Sequence, residues 1–74
     1  MCKEGSLLIR GKVLHYWVKQ YDFPSDYGID EGRISKLTIS MDGVDVVNYD
    51  RGWDIKPEIE IAEIALAILL MEYN

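Results

Sequence analysis

Leu37, Ile39 and Met41 alternate with Lys36, Thr38 and Ser40, and Asp42-Gly43 follows before a second run from Val44 to Tyr49. Strict alternation is the period of a half-buried strand. Asp-Gly between two such runs marks a two-residue type I′ hairpin. The turn then sets a register. On the core side Met41 faces Val44, Ile39 faces Val46 and Leu37 faces Asn48. On the other side Ser40 meets Asp45, Thr38 meets Val47 and Lys36 meets Tyr49.

Upstream, aliphatic, β-branched and aromatic residues dominate 6 to 21, and Gly11 interrupts them. That composition predicts a second hairpin, with strands over about 6–10 and 12–20. In the longer strand Val13, His15 and Trp17 share one face, and Leu14, Tyr16 and Val18 the other. Between the hairpins, Pro24, Gly28 and Gly32 break the pattern. A loop this long is usually functional or disordered. Phe23, Tyr27 and Ile29 give it apolar anchors, which predicts order.

After Asp54 the period changes to that of a helix. Pro57 suits a first turn, and Glu58, Glu60 and Glu63 suit the positive end of a helix dipole. A helix is predicted over about 57–73. Its polar stripe (Glu60, Glu63 and Ala67) is narrow, and the apolar remainder exceeds what one sheet contact needs. The surplus, centred on Leu66 and Leu70 and flanked by Ile59 and Tyr73, predicts a homodimer interface. The alternative is that the N-terminal segment covers it. The expected architecture is a single α+β domain over 1–74. It has a four-stranded antiparallel sheet of two hairpins, with one C-terminal helix packed on one face.

Size and charge narrow the function. A chain of 74 residues buries only about 60% of its unfolded surface, so its stability margin is thin. Thirteen acidic and eight basic side chains leave a net charge of −5. That argues against direct binding of nucleic acid or an anionic membrane. Cys2 is the single cysteine, which excludes an intrachain disulfide and reads as a frayed terminal residue. No secretory leader pattern opens the chain, and the apolar run Ile64–Met71 is far shorter than the ~18 residues of a membrane span. A cytoplasmic protein without a cofactor is expected.

The hairpin register also predicts a site. It brings Ser35 near Asp50 and Arg33 near Gly52, so the 22–33 loop and the 50–54 turn meet at the end of the sheet opposite Asp42-Gly43. Tyr27, Arg33, Ser35, Tyr49, Asp50, Arg51 and Trp53 gather there. Guanidinium groups bind phosphate or carboxylate in a bidentate manner, and aromatic rings stack on planar ligands. The competing reading is structural: Asp26, Asp30, Asp50 and Asp54 could pair with the arginines, and Trp53 could plug the core. His15 is the one histidine, so a Ser-His-Asp site would rest on it alone, and Ser25, Ser35 and Ser40 lack motif context. Calcium-loop spacing, a P-loop and a dinucleotide fingerprint are all missing.

Two stretches carry a resemblance: Ser25-Asp-Tyr-Gly-Ile-Asp-Glu-Gly-Arg-Ile-Ser-Lys-Leu37 and Asn48-Tyr-Asp-Arg-Gly-Trp-Asp54. They resemble motifs of a family of small proteins of unknown function from bacteriophages and Firmicutes, over roughly residues 11–60. The resemblance implies a phage or prophage origin. The expected function is non-enzymatic: binding that inhibits or sequesters a host protein or a small anionic ligand, with an anti-defence role. An alternative is an acidic decoy that imitates nucleic acid through Asp22, Asp26, Asp30, Glu31, Asp42 and Asp45. A small hydrolase using His15 stands last.

Overall fold

Two tight hairpins start the sheet. The computed structural model describes residues 2–74. Strands β1 (Cys2–Ile9) and β2 (Lys12–Gln20) are joined by Arg10-Gly11, and β3 (Ile34–Met41) and β4 (Val44–Asp50) by Asp42-Gly43. Both turns repeat one geometry. Arg10 and Asp42 have φ of 51° and 54°, and both glycines have φ of 79°. Two successive positive φ values define the type I′ turn, whose twist matches that of the strands. A short strand, β5 (Trp53–Ile55), adds to the edge, giving an antiparallel meander in the order β1-β2-β3-β4-β5.

The sheet therefore has five strands, not four. β5 spans three exposed residues, too few to show a period. β1 also begins at Cys2, so Cys2 is an exposed edge-strand residue and not a frayed end.

The β3–β4 register holds only beside the turn, where Met41 pairs with Val44 and Ser40 with Asp45. A bulge at Val46 of β4, opposite Ile39 and Ser40, then shifts every later pair by one: Ile39 meets Val47, Thr38 meets Asn48, Leu37 meets Tyr49 and Lys36 meets Asp50. The expected pairs Ile39–Val46, Leu37–Asn48, Thr38–Val47 and Lys36–Tyr49 are thus overturned. The physical reason is burial. An unbulged strand would put Asn48 in the core and leave Val47 and Tyr49 outside. One inserted residue exchanges the faces, and Val47 is fully buried and Tyr49 nearly so.

The helix α1 covers Glu60–Tyr73 and starts three residues after Pro57, with Ile59 in extended conformation before it. Lys56 to Ile59 carry the chain off the sheet edge. α1 lies across one face of the sheet, with Ala62, Ala65 and Leu69 buried against it. The two alanines let the helix sit close. The core beneath holds Leu14, Val18, Ile34, Leu37, Ile39 and Val47, together with Ile29 from the long loop. Full burial of each such side chain contributes about 1.5–3 kcal/mol. Of the three expected loop anchors, only Ile29 is buried; Phe23 and Tyr27 are exposed.

Both helix ends are tied down. Arg10 donates to Glu60 at 2.8 Å, clamping the N-terminus to the β1–β2 turn, and this bond holds the Glu60 carboxyl below its usual range. At the other end Asn74 Oδ1 accepts from the Ile34 N–H at 3.1 Å, and its Nδ2 donates to the Ile29 carbonyl at 2.9 Å. This side chain joins the helix terminus, the long loop and β3. No described helix is long and apolar enough to cross a membrane.

Candidate functional site

β3 carries a second irregularity. Lys19 pairs with Lys36 but Gln20 pairs with Ile34, so Ser35 is the extra residue of a bulge. Ser35 is buried. Its hydroxyl donates to the Lys19 carbonyl at 3.1 Å, and its own carbonyl accepts the Arg51 N–H at 3.0 Å. One buried serine thus couples β2 to the 50–52 turn. Bulges are enriched beside functional sites because they re-aim neighbouring side chains.

Around this bulge lies a depression of about 210 Å³, lined by Lys19, Gln20, Tyr21, Ser35, Lys36 and Arg51. It gathers three of the eight basic side chains of an acidic protein. Asp50 partly offsets them, 3.8 Å from the Lys36 ammonium and 3.6 Å from the Arg51 guanidinium. No described carboxylate makes an ion pair with Lys19. These pairs are partly exposed, so they hold the cations only weakly. Arg51 itself has φ of 56°, a left-handed conformation costly for a residue with a Cβ. Arg10 and Asp42 take the same conformation in their hairpin turns, so at Arg51 it belongs to the β4–β5 turn.

Tyr49, Trp53 and the Tyr27 backbone form a second group, and Arg33 stands apart from it. Tyr49 donates its hydroxyl to the Tyr27 carbonyl at 2.9 Å. The Trp53 ring meets Tyr49 edge-on, with centroids 5.0 Å apart and planes at 77°. Burial, and then the nearby Tyr21 and Asp30, raise the Tyr49 hydroxyl pKa. Trp53 leans on the core from the sheet edge while remaining 37% exposed. Arg33 closes the base of the long loop: its Nε donates to the Tyr21 carbonyl at 3.1 Å, and the Tyr21 N–H returns a bond to the Arg33 carbonyl at 2.7 Å. Of the two arginines, Arg51 lines the depression and Arg33 ties the loop. The structure adds Lys19 and Lys36, whose strand positions gave no local signal. Their convergence depends on the β2–β3 pairing.

Two other depressions lack this convergence of cations. One of about 470 Å³ runs along Glu4, Gly5, Ser6, His15 and Tyr16, and one of about 170 Å³ lies at Val46, Ile55 and Ile59. The pairing aligns Ser6, His15, Ser40 and Asp45 across the sheet face opposite α1. Asp45 stands beyond Ser40 and not behind His15, and among the described residues no hydrogen bond joins His15 to either serine. Nor does any described group of three His, Cys, Asp or Glu side chains have the arrangement to hold a metal.

The acidic residues divide. Asp22, Asp26, Asp30 and Glu31 lie on the long loop. Asp42 and Asp45 lie at the far end of the sheet, roughly 20 Å away along β3. On α1, Leu66, Leu70 and Tyr73 are half-buried against the core, whereas Ile68 and Met71 are exposed, Met71 by 90%; Ile59, just before the helix, is exposed as well.

No curated protein and no solved structure shows significant similarity to this chain. A family model, that of a domain of unknown function (DUF7678), matches residues 1–74, and the chain belongs to that family.

Proposed function

We propose that this member of the DUF7678 family is a non-catalytic binding protein that captures an anionic group in the Lys19/Lys36/Arg51 depression. The observation that carries the reading is the convergence of three cations from β2, β3 and the β4–β5 turn on one polar hollow, in a chain of net charge −5. Asp50 offsets one of the three charges, and holding the remaining like charges together costs free energy unless a further anion neutralises them. Arg51 offers a planar fork, and the two lysines act as point charges. The ligand is a small anion or an anionic group on a host protein. The role is inhibition or sequestration in the cytoplasm of a bacterial host, of the anti-defence kind. That setting follows from the resemblance of the stretches around Gly28-Ile29 and Arg51-Gly52 to motifs of a phage family.

Calorimetric titration with inorganic pyrophosphate tests the site. Wild type is expected to bind at one site per protomer, and Lys36→Gln to bind several-fold more weakly. No heat of binding in wild type at low ionic strength would refute the proposal. A homodimer across α1 belongs to the same reading. Exposed Ile68 and Met71 would form its centre, with the half-buried edges of Leu66, Leu70 and Tyr73 around them and Ile59 at the far end of the helix.

A further inference from the structure

Among the described residues, no element covers the sheet face opposite α1. The pairing orders its residues in rows: Cys2, Lys19, Lys36 and Asp50 form one, and Glu4, Trp17, Thr38 and Asn48 the next. Trp17 therefore stands near the middle of this face, 39% exposed among polar neighbours. It is two residues from Lys19 on the same side of β2, a separation of about 7 Å along the strand. Beside it, the Thr38 hydroxyl donates to Asn48 Oδ1 at 3.1 Å, and Asn48 Nδ2 reaches Asp54 at 3.4 Å. A large flat ring thus adjoins the cationic hollow, with a polar chain along its β3 side.

We propose that the ligand is a mononucleotide, its base stacked on Trp17 and its phosphates held by Lys19, Lys36 and Arg51. This deepens the anion-site reading and rests on it. Charge complementarity selects the occupant. A single nucleotide carries all its charge at one end, which matches a face whose cations lie to one side of Trp17. A nucleic-acid strand would run its further phosphates past Glu4 or past the acidic long loop, where like charges repel. The base stacks by its π face, beside the Thr38–Asn48 pair of the neighbouring strands.

The test compares ATP with inorganic tripolyphosphate by calorimetry on the full chain, and follows the Trp17 indole N–H resonance in both titrations. One base–ring stack corresponds to roughly tenfold or more in affinity. ATP is expected to bind at least about tenfold more tightly than tripolyphosphate and to move the Trp17 resonance by ring current. In Trp17→Leu the two affinities are expected to converge. Equal affinities in wild type, or an unmoved Trp17 resonance with ATP, would overturn the nucleotide inference and leave the anion site standing. Failure of wild type to bind either compound would overturn the anion site itself.

Discussion

Arg51→Gly is expected to strengthen the fold and weaken the site. At φ of 56° the arginine Cβ crowds its own carbonyl, at a cost of about 1–2 kcal/mol. Glycine removes that strain but loses more conformational entropy on folding, roughly 0.5–1 kcal/mol. The lost ion pair to Asp50 joins side chains that are 65% and 44% exposed; such pairs contribute about 0–1 kcal/mol, and at this exposure the low end applies. The balance is a gain of about 0.5 kcal/mol, which in a domain of this size raises the thermal midpoint by about 2–4 °C. Binding moves the other way. A hydrogen bond to a charged group contributes about 1.5–3 kcal/mol, so pyrophosphate affinity should fall about tenfold or more. Arg51→Ala separates the effects, because it keeps the strain and loses the cation: its midpoint should stay near wild type while its affinity falls as far. Thermal unfolding followed by circular dichroism, with calorimetric titration of each variant, reads both quantities. A midpoint that drops in Arg51→Gly would refute the strain argument and make the guanidinium a structural tie. Unchanged affinity in both variants would refute its role in anion binding.

Asn74→Ala removes two hydrogen bonds that anchor the long loop and should cost about 1–3 kcal/mol in urea unfolding. A Cβ at Gly32 would collide with the Asn74 amide, so Gly32→Ala should break the same latch. The double variant should then lose less than the sum of the singles, and strict additivity would contradict the shared latch. Tyr73 is pushed up to about 12 by its hydrogen bond with Tyr16 and by burial. Because the folded state holds this proton more tightly than the unfolded chain, the contribution is full below pH 10 and is lost as pH rises from 10 toward 12. Stability should fall over that window, and Tyr73→Phe should flatten the fall; an identical pH profile in the variant would contradict the assignment. Met71→Glu should convert a dimer across α1 to monomer, read by light scattering, and an unchanged mass from a dimeric wild type would place the interface elsewhere.

Much of the architecture was readable because it rests on local rules. Alternation and Asp-Gly place β3, β4 and their turn, and the helical period places α1. The bulges were not readable, because each answers to the face as a whole. The β4 bulge exists so that Val47 and Tyr49 can reach a core that Asn48 would otherwise enter. The Ser35 bulge depends on how β2 meets β3. The site divides along the same line. The unbulged register put Ser35 opposite Asp50 and Arg33 near Gly52; the bulge moves Asp50 to Lys36, and Ser35 bonds the Arg51 N–H instead. Lys19 and Lys36 join them through cross-strand pairing between segments distant in sequence. Arg33 was expected near Gly52 from the unbulged register, yet its side chain donates to the Tyr21 carbonyl at the base of the long loop.

The anion site is tested most directly by a ¹H–¹⁵N correlation titration of the wild-type chain with inorganic pyrophosphate at low ionic strength. Saturable shifts confined to Lys19, Ser35, Lys36 and Arg51 are predicted, with residues around His15 and the Asp42-Gly43 turn unmoved. Shifts that never saturate, or that centre on any other part of the surface, would contradict it.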